Sequence, residues 1–125
     1  RYSFWRPEWD KMLARHNIAP PRLYAQGYEH NNCGGFCCKA GLKQFERLYH
    51  NNPERFAYHE AEMTRVMGEI GPTARPFLRK TENGEKQYLT LTEFRQQLES
   101  GDVQIPMFDE AGCGCFTDDL IAVAV

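Results

Sequence analysis

Apolar residues Trp9, Met12 and Leu13 recur at helical spacing, and Pro7 sits where a first helical turn accepts proline. The pattern predicts a helix over Glu8–His16, stopped by Ile18-Ala19-Pro20-Pro21. The run Arg22–Tyr28 reads as a short extended segment ended by Gly27. After Gly41, residues Leu42, Phe45, Leu48 and Tyr49 repeat at three- and four-residue steps with polar residues between them, an amphipathic helix ending at His50-Asn51. A second helix follows: Asn52 reads as its N-cap, Pro53 as its first residue, and Glu54 suits the positive end of the dipole. Phe56, Met63, Val66 and Met67 form its inward face. A link of about three residues makes the two helices a hairpin. Gly68–Pro76 reads as a connector, and Asn83-Gly84 between Phe77–Lys80 and Gln87–Thr90 predicts a β-hairpin. Thr92 is expected to cap a last helix through Phe94 and Leu98, stopped by Gly101.

The pattern therefore describes a small, mostly helical α+β domain with one β-hairpin, and 125 residues suffice for a single core. Charge changes the picture little: 15 Lys and Arg against 17 Asp and Glu leave a formal net charge of −2. No whole-molecule positive field drives the chain onto nucleic acid or acidic lipid. At 42% hydrophobic and 26% charged, the composition is that of a globular domain. The longest apolar run, Leu120–Val125, falls far short of the ~20 residues of a membrane-spanning helix, so no membrane partner is expected. The opening run Arg1–Pro7 does not have the form of a secretory signal, and reads as the interior of a longer polypeptide or a processed product.

Five cysteines add candidate chemistry through their placement. Cys33, Cys37 and Cys38 form one tight group, Cys113 and Cys115 another, and no cysteine lies between. Such sparse, clustered thiols point to a reducing, cytoplasmic compartment and to a site closed from both ends of a fold. Cys33, Cys37, Cys113 and Cys115 suffice to complete a tetrahedral Zn²⁺ site or to ligate a [4Fe–4S] cluster, and the spacing does not choose between them. Two other readings stay open: small buried apolar side chains, and a disulfide or redox pair.

Cys38, followed by Lys39, is the spare thiol and a candidate catalytic residue able to carry a persulfide; packing, or replacing Cys37 as ligand, is the plainer role. His30, three residues before Cys33, is either a ligand or a loop cap. His16, His50 and His59 show no spacing that suggests a separate metal site. Aromatic and basic residues interleave in Tyr2, Phe4, Trp5, Arg6 and Trp9, and basic residues recur at Lys39, Lys43 and Arg47. These form either a nucleic-acid or nucleotide edge or ordinary helix faces. No phosphate-loop, dinucleotide, zinc-protease or hydrolase-elbow motif is present.

The run Pro7-Glu8-Trp9, then Leu23-Tyr24-x-x-Gly27-Tyr28, His30-Asn31-Asn32-Cys33-x-x-x-Cys37, Lys39-Ala40-Gly41 and Asn52-Pro53-Glu54-Arg55-Phe56 resembles the C-terminal half of phosphoadenosine phosphosulfate reductase-like proteins. These belong to the adenine nucleotide alpha-hydrolase, or PP-loop, superfamily, and the version here is similar to those often carried by bacteriophages. Cys113-Gly114-Cys115-Phe116 matches the family's closing cysteine pair. The resemblance spans Pro7 to Phe116. It implies adenine-nucleotide-dependent sulfur transfer or reduction, with a [4Fe–4S] cluster in some branches and zinc in others. The family's Ser-Gly-Gly-x-Asp-Ser-type nucleotide loop is absent from these residues. The expectation is therefore one metal-binding domain over residues 1–125, not competent alone, partnered by a nucleotide-binding PP-loop domain or subunit. The alternative is a non-catalytic, zinc-stabilised module that binds a protein or nucleic acid.

Overall fold

A computed structural model of the chain describes residues 6–28 and 33–105. The described residues form helices α1 (Arg6–Arg15), α2 (Arg22–Ala25), α3 (Leu42–Asn51), α4 (Pro53–Ile70) and α5 (Leu91–Ser100), with strands β1 (Leu78–Glu82) and β2 (Glu85–Leu89). The α+β class expected from the sequence is observed, with β1 and β2 paired as a two-stranded antiparallel sheet. Among the described residues no helix is long and apolar enough to cross a membrane.

Three helices end by one device. After α1, Ile18 N–H donates to Leu13 O at 2.9 Å and Asn17 N–H to Ala14 O at 3.2 Å, with Asn17 at φ 52°. This pair of bonds satisfies carbonyls that a helix end leaves orphaned, and it needs a residue that tolerates positive φ. Gly101 does the same for α5 and Gly27 for α2, where Tyr28 N–H donates to Leu23 O at 3.0 Å. The segment Arg22–Tyr28 is thus one helical turn and its cap, not the extended run that the sequence suggested. Its two anchors, Leu23 and Tyr28, are both buried at the positions where this cap places apolar residues in contact.

The hairpin of α3 and α4 is tighter than expected, because Asn52 alone separates the helices and serves both. Its side chain accepts from Arg55 N–H at 3.2 Å, and Pro53 supplies the first helical position. Leu42, Phe45 and Leu48 face Phe56 and Met63 in the core. Val66 was expected to join them but stands 40% exposed. At 3.6 residues per turn it lies about 80° from the middle of the Phe56–Met63–Met67 stripe, past the edge of the buried face. Helix α4 also passes through Gly68, placed in a connector by the sequence, and stops at Gly71, whose φ is 83°.

Strands β1 and β2 pair from Leu78↔Leu89 to Glu82↔Glu85 around Asn83 and Gly84, both at positive φ, as a two-residue turn of the primed type requires. That turn matches the strand twist, so pairing runs through Thr81 and Lys86, beyond the strands that the sequence marked. Within the two strands only Leu78 and Leu89, at the base, are buried. Thr90 follows directly, and it, not Thr92, caps α5. Its hydroxyl accepts from Glu93 N–H at 3.2 Å, while the Glu93 carboxylate accepts from Thr90 N–H at 2.7 Å. Leu91, fully buried, belongs to the first turn, and its N–H donates to the Met63 sulfur at 3.3 Å. The core thus joins α3, α4, the hairpin base and α5, with Phe36, Cys37 and Phe77 packed against it.

Candidate metal centre

The cysteine loop between α2 and α3 is built from two consecutive reverse turns. In the first, Phe36 N–H donates to Cys33 O at 3.0 Å, with Gly34 and Gly35 at φ 58° and 89°. Two successive residues in the left-handed region are the reason this turn holds two glycines. In the second, Ala40 N–H donates to Cys37 O at 3.0 Å, placing Cys38 and Lys39 at the exposed corner. Cys33 and Cys37 are therefore the first residues of successive turns, both half-buried, and Cys37 packs against the core. Cys38 is exposed.

Phe36 fixes the loop to the domain. Its ring stacks on His59 of α4 with centroids 3.6 Å apart and 15° between planes, and meets Phe45 and Phe77 edge-on at 5.8 Å each. Gln44 Nε2 donates to Gly35 O at 3.2 Å, and Asn51 Nδ2 donates to Gln26 O at 3.0 Å, tying the chain before and within the loop to α3. The Tyr28 hydroxyl lies against Gly35, where a Cβ would stand 3.0 Å from it. Burial pushes the Tyr28 phenol above its ordinary pKa, opposed by a hydrogen bond to the Asn51 side chain and by the charges of Arg47 and Arg55.

Arg55 and His59, one helical turn apart on α4, lie beneath the loop. The guanidinium of Arg55 rests against Gly34, so closely that a Cβ there would be 2.8 Å from Nη2. Burial holds His59 below the ordinary histidine pKa, Arg55 lowers it further, and Glu62 opposes both. Arg55 Nε and His59 Nε2 are buried without a hydrogen-bond partner among the described residues. Both residues also line an open groove of about 470 Å³ with Asn52, Glu54 and Tyr58.

Of the four expected ligands the structure brings Cys33 and Cys37 onto one loop, while Cys113 and Cys115 lie outside the described residues, as does His30. Among the described residues no three His, Cys, Asp or Glu side chains are grouped to hold a metal. His16 and His50 are exposed and apart from the loop's contacts, His50 resting edge-on against Tyr49 at 5.2 Å. Of the interleaved aromatic and basic residues, Tyr2, Phe4 and Trp5 lie outside the described residues, Trp9 is 57% exposed on α1, and Lys43 and Arg47 share a face of α3. The contacts of Arg55 and His59 with the loop went unread in the sequence. Their four-residue spacing on a helix was the available signal, but nothing local says which loop that face covers. Comparison with family models, curated proteins and solved structures gave no significant match for this chain.

Proposed function

We propose that this chain is the metal-bearing part of a PP-loop, phosphoadenosine phosphosulfate reductase-like enzyme of sulfur transfer or reduction, working with a nucleotide-binding PP-loop domain or subunit. The observation that carries the reading is the double turn that presents Cys33 and Cys37 from one core-anchored loop. Thiolates on a loop already fixed by Phe36 bind a metal without first ordering the chain, which is what preorganisation contributes to a site. The donor chemistry fits either cofactor: thiolate sulfur suits Zn²⁺ and iron–sulfur clusters alike, and Cys113 and Cys115 would complete the set. A bound [4Fe–4S] cluster would supply electron transfer or a sulfur-handling iron, and bound zinc would cross-link the fold. Cys38, at the exposed corner beside Lys39, is the thiol placed to meet a sulfur donor or acceptor.

One observation favours the second reading, a zinc-stabilised binding module. Trp9 and Met12, three residues apart on α1, are exposed, as is Ile18 beyond the helix, and exposed apolar side chains on one side of a helix suit a protein partner. Metal analysis after purification without oxygen separates the two. About four iron and four sulfide per chain support the enzyme part. About one zinc and no iron support the module. Cys33→Ser and Cys113→Ser should each lose the metal and lower thermal stability. Full metal content in both variants, or no metal in the parent, overturns the metal centre.

A further inference from the structure

The β-hairpin contributes little to the core of the domain that carries it. Leu78 and Leu89 close its base, and between them, from Arg79 to Tyr88, no side chain is buried. Ordering that much backbone costs conformational entropy with no buried apolar area in return, and a two-stranded ribbon is marginal without packing. The pairing nevertheless runs unbroken to the Asn83-Gly84 turn, and its register sorts the side chains by charge. Cross-strand partners share a face and successive pairs change face, so Arg79, Tyr88, Thr81 and Lys86 stand together on one side. The other side carries Leu78 and Leu89, then Lys80 and Gln87, then Glu82 and Glu85. Both carboxylates of the hairpin thus share the face of the buried leucines, where Lys80 Nζ meets Glu82 at 3.0 Å. The outward face holds Arg79 and Lys86 and no carboxylate. Tyr88, 47% exposed, stands directly across from Arg79 and two residues from Lys86 on its own strand. Its backbone position is therefore about 5 Å from one cation's across the ladder and about 7 Å from the other's along the strand.

We propose that this face is a contact surface for single-stranded nucleic acid, with Tyr88 stacking on a base and Arg79 and Lys86 holding the phosphates on either side of it. An exposed ring flanked by cations matches what a single strand offers, since every base has a face to stack and the backbone carries the negative charge. Charge alone would fit an acidic protein or a lipid surface equally well. The exposed phenol ring beside both cations is what favours a base. The formal net charge of −2 supplies no long-range attraction, so the contact is local and modest in affinity. The proposal is independent of the metal reading, because none of these residues belongs to the cysteine loop.

The test titrates isotope-labelled full chain with a single-stranded oligothymidylate and follows the backbone amide resonances, taking affinity from the same shifts at several salt concentrations. Resonances of residues 79–81 and 86–88 should move, and those of α1 should not. Arg79→Gln combined with Lys86→Gln should flatten the slope of log affinity against log salt by about 1.4, since each phosphate contact on a single strand contributes about 0.7. Tyr88→Leu should weaken binding about fivefold or more with the slope unchanged, while Tyr88→Phe, which keeps the ring, should bind like the parent. Lys80→Gln removes a charge from the opposite face and should leave the slope as it is. If Tyr88→Leu does not fold, as judged by circular dichroism, Tyr88→Thr, a strand former without a ring, takes its place. The proposal is overturned if the parent's hairpin resonances do not move, if the variant without the ring binds as tightly as the parent, or if Lys80→Gln flattens the slope as much as the paired substitution. It is equally overturned if polyglutamate or vesicles containing phosphatidylserine move the same resonances as strongly, which would assign the face to an acidic protein or to a lipid surface.

Discussion

The imidazole of His59 lies flat on the ring of Phe36, 3.6 Å between centroids, and this one stack joins the cysteine loop to the N-terminal half of α4. It sets a titratable ring against the loop, within the influence of the Arg55 charge, and both burial and that charge disfavour the imidazolium.

The stack therefore makes stability pH-dependent. The folded-state pKa of His59 lies below the ordinary value, so on acidification the unfolded chain takes up the proton first. The contribution is complete above the unfolded value of about 6.5, declines as pH falls through it, and levels off below the folded-state pKa. Melting temperatures measured from pH 8 to pH 5 should fall more steeply for the parent than for His59→Phe, which keeps an aromatic ring on Phe36 and does not titrate. Parallel curves would show that His59 is not held neutral by this environment.

The reciprocal bonds between Thr90 and Glu93 join the hairpin to α5. Removing the hydroxyl leaves the Glu93 N–H without its acceptor, so Thr90→Ala should cost about 1 kcal/mol in urea unfolding. Thr92→Ala lies inside the helix, where alanine is favourable, and should change stability by less than about 0.5 kcal/mol. Equal losses at the two positions would contradict the cap.

Cys37 and Cys38 are neighbours in sequence and opposites in environment, one packed against the core and the other at an exposed corner. In metal-free native protein, iodoacetamide should modify Cys38 well before Cys37, as read by mass spectrometry of peptides. Denaturant should bring the two rates together. Cys38→Ser should shift unfolding by less than about 0.5 kcal/mol, as for an exposed side chain. Faster modification of Cys37 would refute the double-turn geometry.

Much of the framework was legible because its signals are local. The Leu42–Phe45–Leu48 stripe, the Asn52-Pro53 start of α4, the Asn83-Gly84 turn and the Gly101 stop each act within one or two turns of chain, through propensity, capping or positive φ. Errors arose where burial chose between local options. Leu23 and Tyr28 suit a strand or a capped helical turn, and their joint burial selects the turn. Two threonines compete to cap α5, and the burial of Leu91 places it inside the helix and leaves Thr90 as the cap.

By itself, the sequence determined the α+β class, the α3–α4 hairpin, the β-hairpin and the clustering of Cys33, Cys37 and Cys38. Only the tertiary structure decided which of these thiols is packed and which exposed, that Phe36 anchors their loop on His59, and that Arg55 lies against Gly34. Each of those two contacts joins a loop to a helix across the intervening α3. Their existence depends on how α3 and α4 pack around Phe45, Leu48 and Phe56, a closure that no periodicity or short motif encodes.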